Sequence, residues 1–390
     1  MQNKIVIRIF WTSLIILFLF TFYRFRIDEI GISTPAIAIQ SIFLLNIIII
    51  LCSITVYFNK SIPRSSTMTF LLLYALFLLF YSENTSLGRF FDINTYTSLS
   101  VWIFSYAFFY SFFIIQNNVD IPKRDKVITA FTILFCTLFL LNYFTRLGTG
   151  KTWEFIESYY MLTMLPFIVL IKNNNTKNLL ILTITICMIL AAKRTGILVM
   201  SFFVIYNFIN SYKRGSVETR KKLLFSILVI LACSFLLISI VLKDEFIYIV
   251  NRLTAISEDG GSGRNDVYRL VYTSILDSFG SYEFYFGHGY NSVKTFVGYS
   301  AHNDFLEVFY DFGLLGFILY ITFIVSLLKK AHCRNIDKTC LFGLRLSICI
   351  FLILSFFSHM IMFSNSIICL CAFWGYFDAI SYKTNKNTYE

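Results

Sequence analysis

The stretch YSAHNDFLEVFYDFGLLGFILY, residues 299–320, begins polar and turns mostly apolar within a few positions. His302, Asn303 and Asp304 stand at the point where it turns. Such a junction is where a water-facing segment enters a helix whose solvent is lipid. The chain holds only four histidines, so one placed at that boundary is a candidate for chemistry.

The rest of the chain gives the same solvent. Apolar residues make up 57% of the 390 positions and charged residues only 14%, with a mean hydropathy of +0.71. A soluble domain carries about 25% charged residues. A soluble core could not hide this much Ile, Leu and Phe, and runs of roughly 18 or more apolar residues mark membrane helices. The expected fold is an all-α polytopic membrane protein of about twelve spans, within a range of 10–12. They fall near 5–23, 35–58, 67–82, 96–116, 126–145, 156–171, 177–192, 195–211, 223–242, 305–328, 340–358 and 364–381. Three regions follow: an N-terminal bundle (1–242), one large loop (243–304) and C-terminal helices with a short tail (305–390). The first apolar run is too long for a cleaved signal core and lacks a small-residue cleavage site, so it is expected to remain as an anchor.

Charge gives the orientation. The net charge of +11 could point to nucleic acid, but the basic residues collect in alternate loops. Lys123, Arg124, Lys126, Lys213, Arg214, Lys221 and Lys222 lie on one side, and the short loops opposite carry far fewer. The positive-inside rule makes the first side cytoplasmic, with both termini inside and the 243–304 loop outside. No nucleic acid partner is expected. The nine cysteines show no metal-ligand spacing and no disulfide framework, and no metal or cofactor is expected. Pro166 falls within the sixth span, as a tolerated membrane proline or a hinge.

The long loop is where chemistry could sit. DEFIYIVNRL (244–253) has helical spacing of apolar residues, and SEDGGSGRND (257–266) is a glycine-rich turn. DVYRLVYTSILDSF (266–279) places Val267, Leu270, Val271 and Ser274 on one face of an amphipathic helix, with Asn265 or Asp266 as its cap. Arg264 then lies beside a helix N-terminus, which favours an anion; the alternative is a solvated loop residue. Arg194, in AAKRTG (191–196), stands at the outer membrane edge with Lys193. Its planar fork matches phosphate oxygens, and both cations could instead snorkel to headgroups. His302 has the side chain best suited to take a proton near neutral pH, or it is an interfacial histidine bonded to backbone. Asn303 and Asp304 either orient its ring or cap the next helix. His288, in a glycine-flanked turn, is a rival; His332 and His359 suggest no role.

Taken in order, AKRTG (192–196), SGRND (262–266), FGHGYNS (286–292) and AHNDFLEVFYDFGLLGF (301–317) resemble the O-antigen polymerase and ligase superfamily. The resemblance implies a glycosyltransferase-C-like inner-membrane enzyme. It would take a glycan carried on undecaprenyl pyrophosphate at the periplasmic face, without metal and with inversion. It implies that Arg194 and Arg264 bind the donor pyrophosphate and that His302 is the general base, with Asn303, Asp304, Arg269 and Lys193 in support. The Arg–x10–Gly spacing discussed for polymerases occurs at Arg252…Gly263 and Arg269…Gly280. A chain-length regulator and a flippase are implied partners beside the lipid-linked oligosaccharide and membrane lipid. Polymerase is the preferred reading, ligase the alternative. Spacing alone leaves open a carboxylate nucleophile such as Asp266 or Asp304. A lipid-linked sugar flippase would need charges along a central path, and apart from Arg345 they gather at one outer surface. A structural partner of the assembly machinery would not need the two arginines and the histidine.

Overall fold

The computed structural model describes residues 2–30, 34–58, 62–63, 65–81, 93–116, 121–147, 157–191, 193–214, 264–333, 336–358, 360 and 364–389. The expected span at 223–242, the DEFIYIVNRL segment, the Arg252…Gly263 pair and His359 lie outside them. Among the described residues all regular structure is helical. In lipid every backbone polar group must be satisfied within the segment, and a helix does this alone.

The first helices are α1 (Gln2–Ile30), α2 (Ala36–Tyr57), α3 (Ser66–Tyr81), α4 (Ile93–Ile115) and α5 (Ile121–Leu147). They are followed by α6 (Ser158–Val169), α7 (Asn174–Leu190) and α8 (Arg194–Arg214). After the undescribed segment come α9 (Arg264–Asp277) and two short helices, α10 (Tyr282–Phe286) and α11 (Ser292–Val297). The chain ends with α12 (Asp304–Lys330), α13 (Lys338–Phe357) and α14 (Ser364–Tyr389). Six stretches are long and apolar enough to cross a membrane: Lys4–Ile27, Ala36–Tyr57, Tyr96–Ile115, Ile121–Thr145, Asp304–Lys330 and Lys338–Phe357. About 20 helical residues cover the roughly 30 Å of hydrocarbon. The chain is a multi-pass membrane protein.

Without a hydrophobic force between helices in lipid, close packing must hold the bundle together. Small residues let it form. A Cβ on Gly375 of α14 would lie 2.7 Å from the Tyr110 backbone nitrogen, so this glycine permits the close α14–α4 contact. Gly343 of α13 likewise faces the Phe373 ring, at 2.5 Å from a built Cβ. Aromatic rings fill the centre, with Trp374 edge-on to both Phe323 and Phe351 at 5.5 Å. The Trp374 indole N–H donates to the Ser347 hydroxyl at 2.8 Å. Helix α14 is buried among α4, α6 and α13, and this explains how it carries Asn365 and Asp378 through the bundle. The Asp378 carboxylate accepts from Lys330 and Tyr106, and from Ser65 at 2.8 Å. This network ties the residue before α3 to α4, α12 and α14 at the end of α12 remote from His302.

The stretch quoted first is not one unbroken span. At Gly313 the backbone of α12 turns non-helical, with φ 66° and ψ −172°. Left-handed φ is costly for residues with a Cβ and easy for glycine. The break frees the carbonyls of Tyr310 and Asp311, and the loop before α11 takes them.

Candidate functional site

That loop is FGHGYNS. Its His288 N–H donates to the Tyr310 carbonyl at 2.9 Å, and its Gly289 N–H donates to the Asp311 carbonyl at 2.7 Å. Gly287 (φ 79°) and Gly289 (φ 102°) give the turn its left-handed conformation. The backbones meet at Gly287 and Gly313. A Cβ on Gly287 would lie 2.4 Å from the Asp311 carbonyl oxygen, and one on Gly313 would lie 2.4 Å from the Gly287 nitrogen. The buried Asp311 carboxylate accepts from Asn291 N–H at 2.7 Å and Val293 N–H at 3.2 Å, fixing the start of α11. The motif's glycines and aspartate therefore build a dock. His288 stacks on the Tyr310 ring at 4.3 Å, and its Nε2 is enclosed without a hydrogen-bond partner among the described residues. Burial pushes the His288 pKa down, against the pull of Glu283.

Helix α9 lies on this platform. Its buried residues are Val267, Val271 and Ile275, spaced by four, and they pack with Val293, Ala301 and Tyr310. The face expected from sequence included Leu270, which is 50% exposed. The contact runs along an i, i+4 row, and Leu270 falls off that row toward the surface. The expected caps Asn265 and Asp266 also move: the helix starts at Arg264, so both lie in its first turn.

The backbone around His302 is tightly specified. His302 has φ 53°, a conformation uncommon in residues with a side chain. Its N–H donates to Glu307 Oε1 at 3.0 Å, one turn ahead in α12. Asn303 is the N-cap of α12, its side-chain oxygen accepting from Phe305 N–H at 3.0 Å and Leu306 N–H at 3.2 Å. Asp304 is buried and accepts the Met360 N–H at 3.0 Å.

Arg264 comes to the same place from α9. Its Nη1 donates to the Phe357 carbonyl at 2.9 Å, at the C-terminal end of α13. Cations are favoured there by unpaired carbonyls and the helix dipole. Tyr268, one turn along α9, lies close to both Arg264 and Asn303. Burial raises the Tyr268 pKa, while the Arg264 charge and the neighbouring Asn303 pull it back. Arg264 and the residue beside His302 thus share one neighbouring tyrosine.

Phe357, Ser358 and Met360 form the hub. It takes Arg264 on the Phe357 carbonyl and Asp304 on the Met360 N–H. The Tyr159 hydroxyl bonds the Ser358 hydroxyl at 3.1 Å. The Lys193 ammonium lies over the Tyr159 ring, 5.8 Å from its centroid. Arg194 is the first residue of α8, next to Lys193; its side chain lies outside the described residues. Arg269 is exposed on α9. Asp266 is likewise exposed, and Asp304 is turned to backbone. Among the described residues no group of three His, Cys, Asp or Glu could hold a metal ion.

Sequence reasoning did not single out Tyr268, Glu307, Tyr159 or the Phe357 carbonyl. Glu307 lies five residues past His302, as HxxxxE, but nothing local distinguishes a buried clamp from an exposed helix residue. The other three act across the fold and leave no local signal.

Residues 179–321 match the family model for O-antigen ligase. The matched stretch runs from α7 through the docking loop into α12, and contains Lys193, Arg194, Arg264 and His302. No curated protein matches the chain.

Proposed function

We propose, with the O-antigen ligase-like segment at 179–321 as premise, that this chain is a polysaccharide polymerase acting on lipid-linked glycans. The donor is a growing glycan on undecaprenyl pyrophosphate, and the acceptor is a sugar hydroxyl of another lipid-linked repeat unit. His302 takes the hydroxyl proton as the oxygen attacks C1 of the donor sugar. The bond from C1 to the pyrophosphate oxygen breaks, and the electron pair leaves with the carrier pyrophosphate. Attack from the opposite face inverts the anomeric centre. Arg264 and Arg194 hold the negative charge that develops on the leaving group, as fixed cations do best when already oriented. A positioned base contributes roughly 10²–10⁴-fold. The reaction takes place at the periplasmic face of the inner membrane, with both termini in the cytoplasm.

The observation that supports this reading most is that Arg264, held on the Phe357 carbonyl, and Asn303, the cap beside His302, both lie against Tyr268 inside the matched segment. An arginine anchored by one donor keeps the rest of its fork for a ligand. Ligase chemistry is the second reading, favoured by the family description itself; the donor and its leaving group are the same, and the acceptor is lipid A core.

Surface polysaccharide from a deletion strain tests both. A polymerase leaves single repeat units displayed on lipid A core. A ligase leaves polymer on the carrier and nothing displayed. Loss of lipid-linked units from the outer leaflet would overturn both in favour of a flippase.

A further inference from the structure

Arg345 stands about two turns into α13 and belongs neither to the core nor to the site around His302. It lies at a groove of about 520 Å³ between the end of α12 and α13, at the end of α12 remote from His302. Leu328, Ala331 and His332 form one wall, and Leu352 and Ile353 lie deeper on the other. The groove opens outward: Arg345 and Cys349 are exposed, and Leu328 is 39% exposed.

The guanidinium is held in one pose. Nε and Nη2 both donate to the Ala331 carbonyl, at 3.1 and 3.0 Å. That carbonyl closes the C-terminus of α12, where the dipole favours a cation. Nη1 has no partner among the described residues, and no carboxylate among them pairs with Arg345. A guanidinium is charged at every physiological pH, and a cation at a membrane-facing wall is costly without an anion. Beyond it the groove is apolar. Arg345 to Leu352 spans about 10 Å of helix, enough to line part of an acyl chain. Exposed Lys329 and Lys338 flank this end in sequence and favour a headgroup of net negative charge. A soluble anion would leave the apolar trough unused.

We propose that this groove binds one anionic phospholipid of the leaflet opposite the His302 site, with its phosphate on Arg345 and an acyl chain along Leu352 and Ile353. The bound lipid covers a charge that helix packing leaves open. It braces α12 against α13, the two helices that frame the candidate site at their other ends. The binding stands whether or not the polymerase reading holds.

The full chain, purified in neutral detergent, is exchanged against phosphatidylglycerol, phosphatidylcholine of the same acyl chains, or inorganic phosphate. Native mass spectrometry reads retained lipid, and thermal unfolding reads stabilisation. The wild-type protein is expected to retain phosphatidylglycerol at least about tenfold better than phosphatidylcholine and to melt higher in its presence. Arg345→Gln is expected to lose that preference. Cys349→Trp, which fills the trough and leaves the cation, is expected to lose retention. Equal retention of the two lipids by the wild-type protein would overturn the proposal, and that arm needs no variant to fold. Equal stabilisation by inorganic phosphate would reduce the site to a plain anion site and overturn it as well.

Discussion

The Glu307 carboxylate accepts the His302 backbone N–H at 3.0 Å, and it does so at a residue whose φ is 53°. The left-handed conformation costs about 1–2 kcal/mol in a residue with a Cβ. Such a conformation persists only where its surroundings impose it, and Glu307 and the Asn303 cap do so from both sides. Glu307 is thus placed to fix the backbone that carries the imidazole.

If His302 is the base, Glu307→Ala is expected to lower kcat by about 10²-fold with little change in KM, because small displacements of a catalytic group are costly. Glu307→Gln keeps a side-chain oxygen acceptor and is expected to restore most of the rate. Polymer formation in membranes, normalised to protein level, measures both. Equal loss in the two variants would mean the charge matters rather than the clamp. Wild-type rates in the Ala variant would remove the positioning role.

The Gly287–Gly313 contact gives a stability prediction. Gly313→Ala or Gly287→Ala forces a Cβ to 2.4 Å from backbone that cannot yield, at positive φ in both cases. Each is expected to undock the loop and to lower thermal stability in detergent by more than about 3 kcal/mol, counting overpacking and backbone strain together. Gly280→Ala and Gly298→Ala are the controls. They too have positive φ, 82° and 87°, but no atom lies within 4 Å of a built Cβ. Their cost should be the backbone term alone, about 1–2 kcal/mol.

These residues show what sequence could and could not carry. The apolar runs named the helices because lipid leaves the backbone few other choices. Asn303 was legible as a cap, since a short polar side chain before an apolar run is what an open helix N-terminus needs. The row on α9 was half legible. Helical period put Val267 and Val271 together, but which neighbour joins them depends on α11 and α12, and Ile275 took the place assigned to Leu270. The break at Gly313 was hidden within an apolar run that reads as continuous. The Arg264 bond to Phe357 joins residues 93 apart in the chain, and no local pattern encodes that distance.

Tyr268 separates a merely buried aromatic from a link in the site. Tyr268→Phe removes the hydroxyl that lies near Arg264 and Asn303 and keeps the ring packed on the α9 platform. Arg264→Lys keeps a charge but loses the fork that can grip the Phe357 carbonyl and a phosphate together. Under the polymerase reading, Arg264→Lys is expected to lower kcat/KM by about 10–100-fold, and Tyr268→Phe by about 3–10-fold. Thermal stability should change little in the second. Radiolabelled or tagged lipid-linked repeat units in membranes would measure the rates. Full activity in Arg264→Lys would return this residue to a structural contact at the end of α13.

His288 sets a pH dependence of stability rather than of chemistry. Its pKa in the folded chain lies below the ordinary histidine value of about 6.5, because burial against Tyr310 disfavours the charged ring more than Glu283 favours it. Between the folded and unfolded pKa values, the unfolded chain binds the additional proton. Stability from this group is therefore complete above about pH 6.5 and is lost as pH falls through the folded value. The residue keeps partial access to solvent, so screening keeps the effect small. Acidifying from pH 7.5 to 5 is expected to lower the melting temperature of the wild-type protein more than that of His288→Gln, which cannot titrate. The loop carrying His288 supplies the N–H groups that dock on the broken α12, so undocking should appear first as hydrogen exchange at Gly289 and Asn291. A wild-type protein no more acid-sensitive than His288→Gln would mean that the imidazole titrates as freely in the fold as outside it.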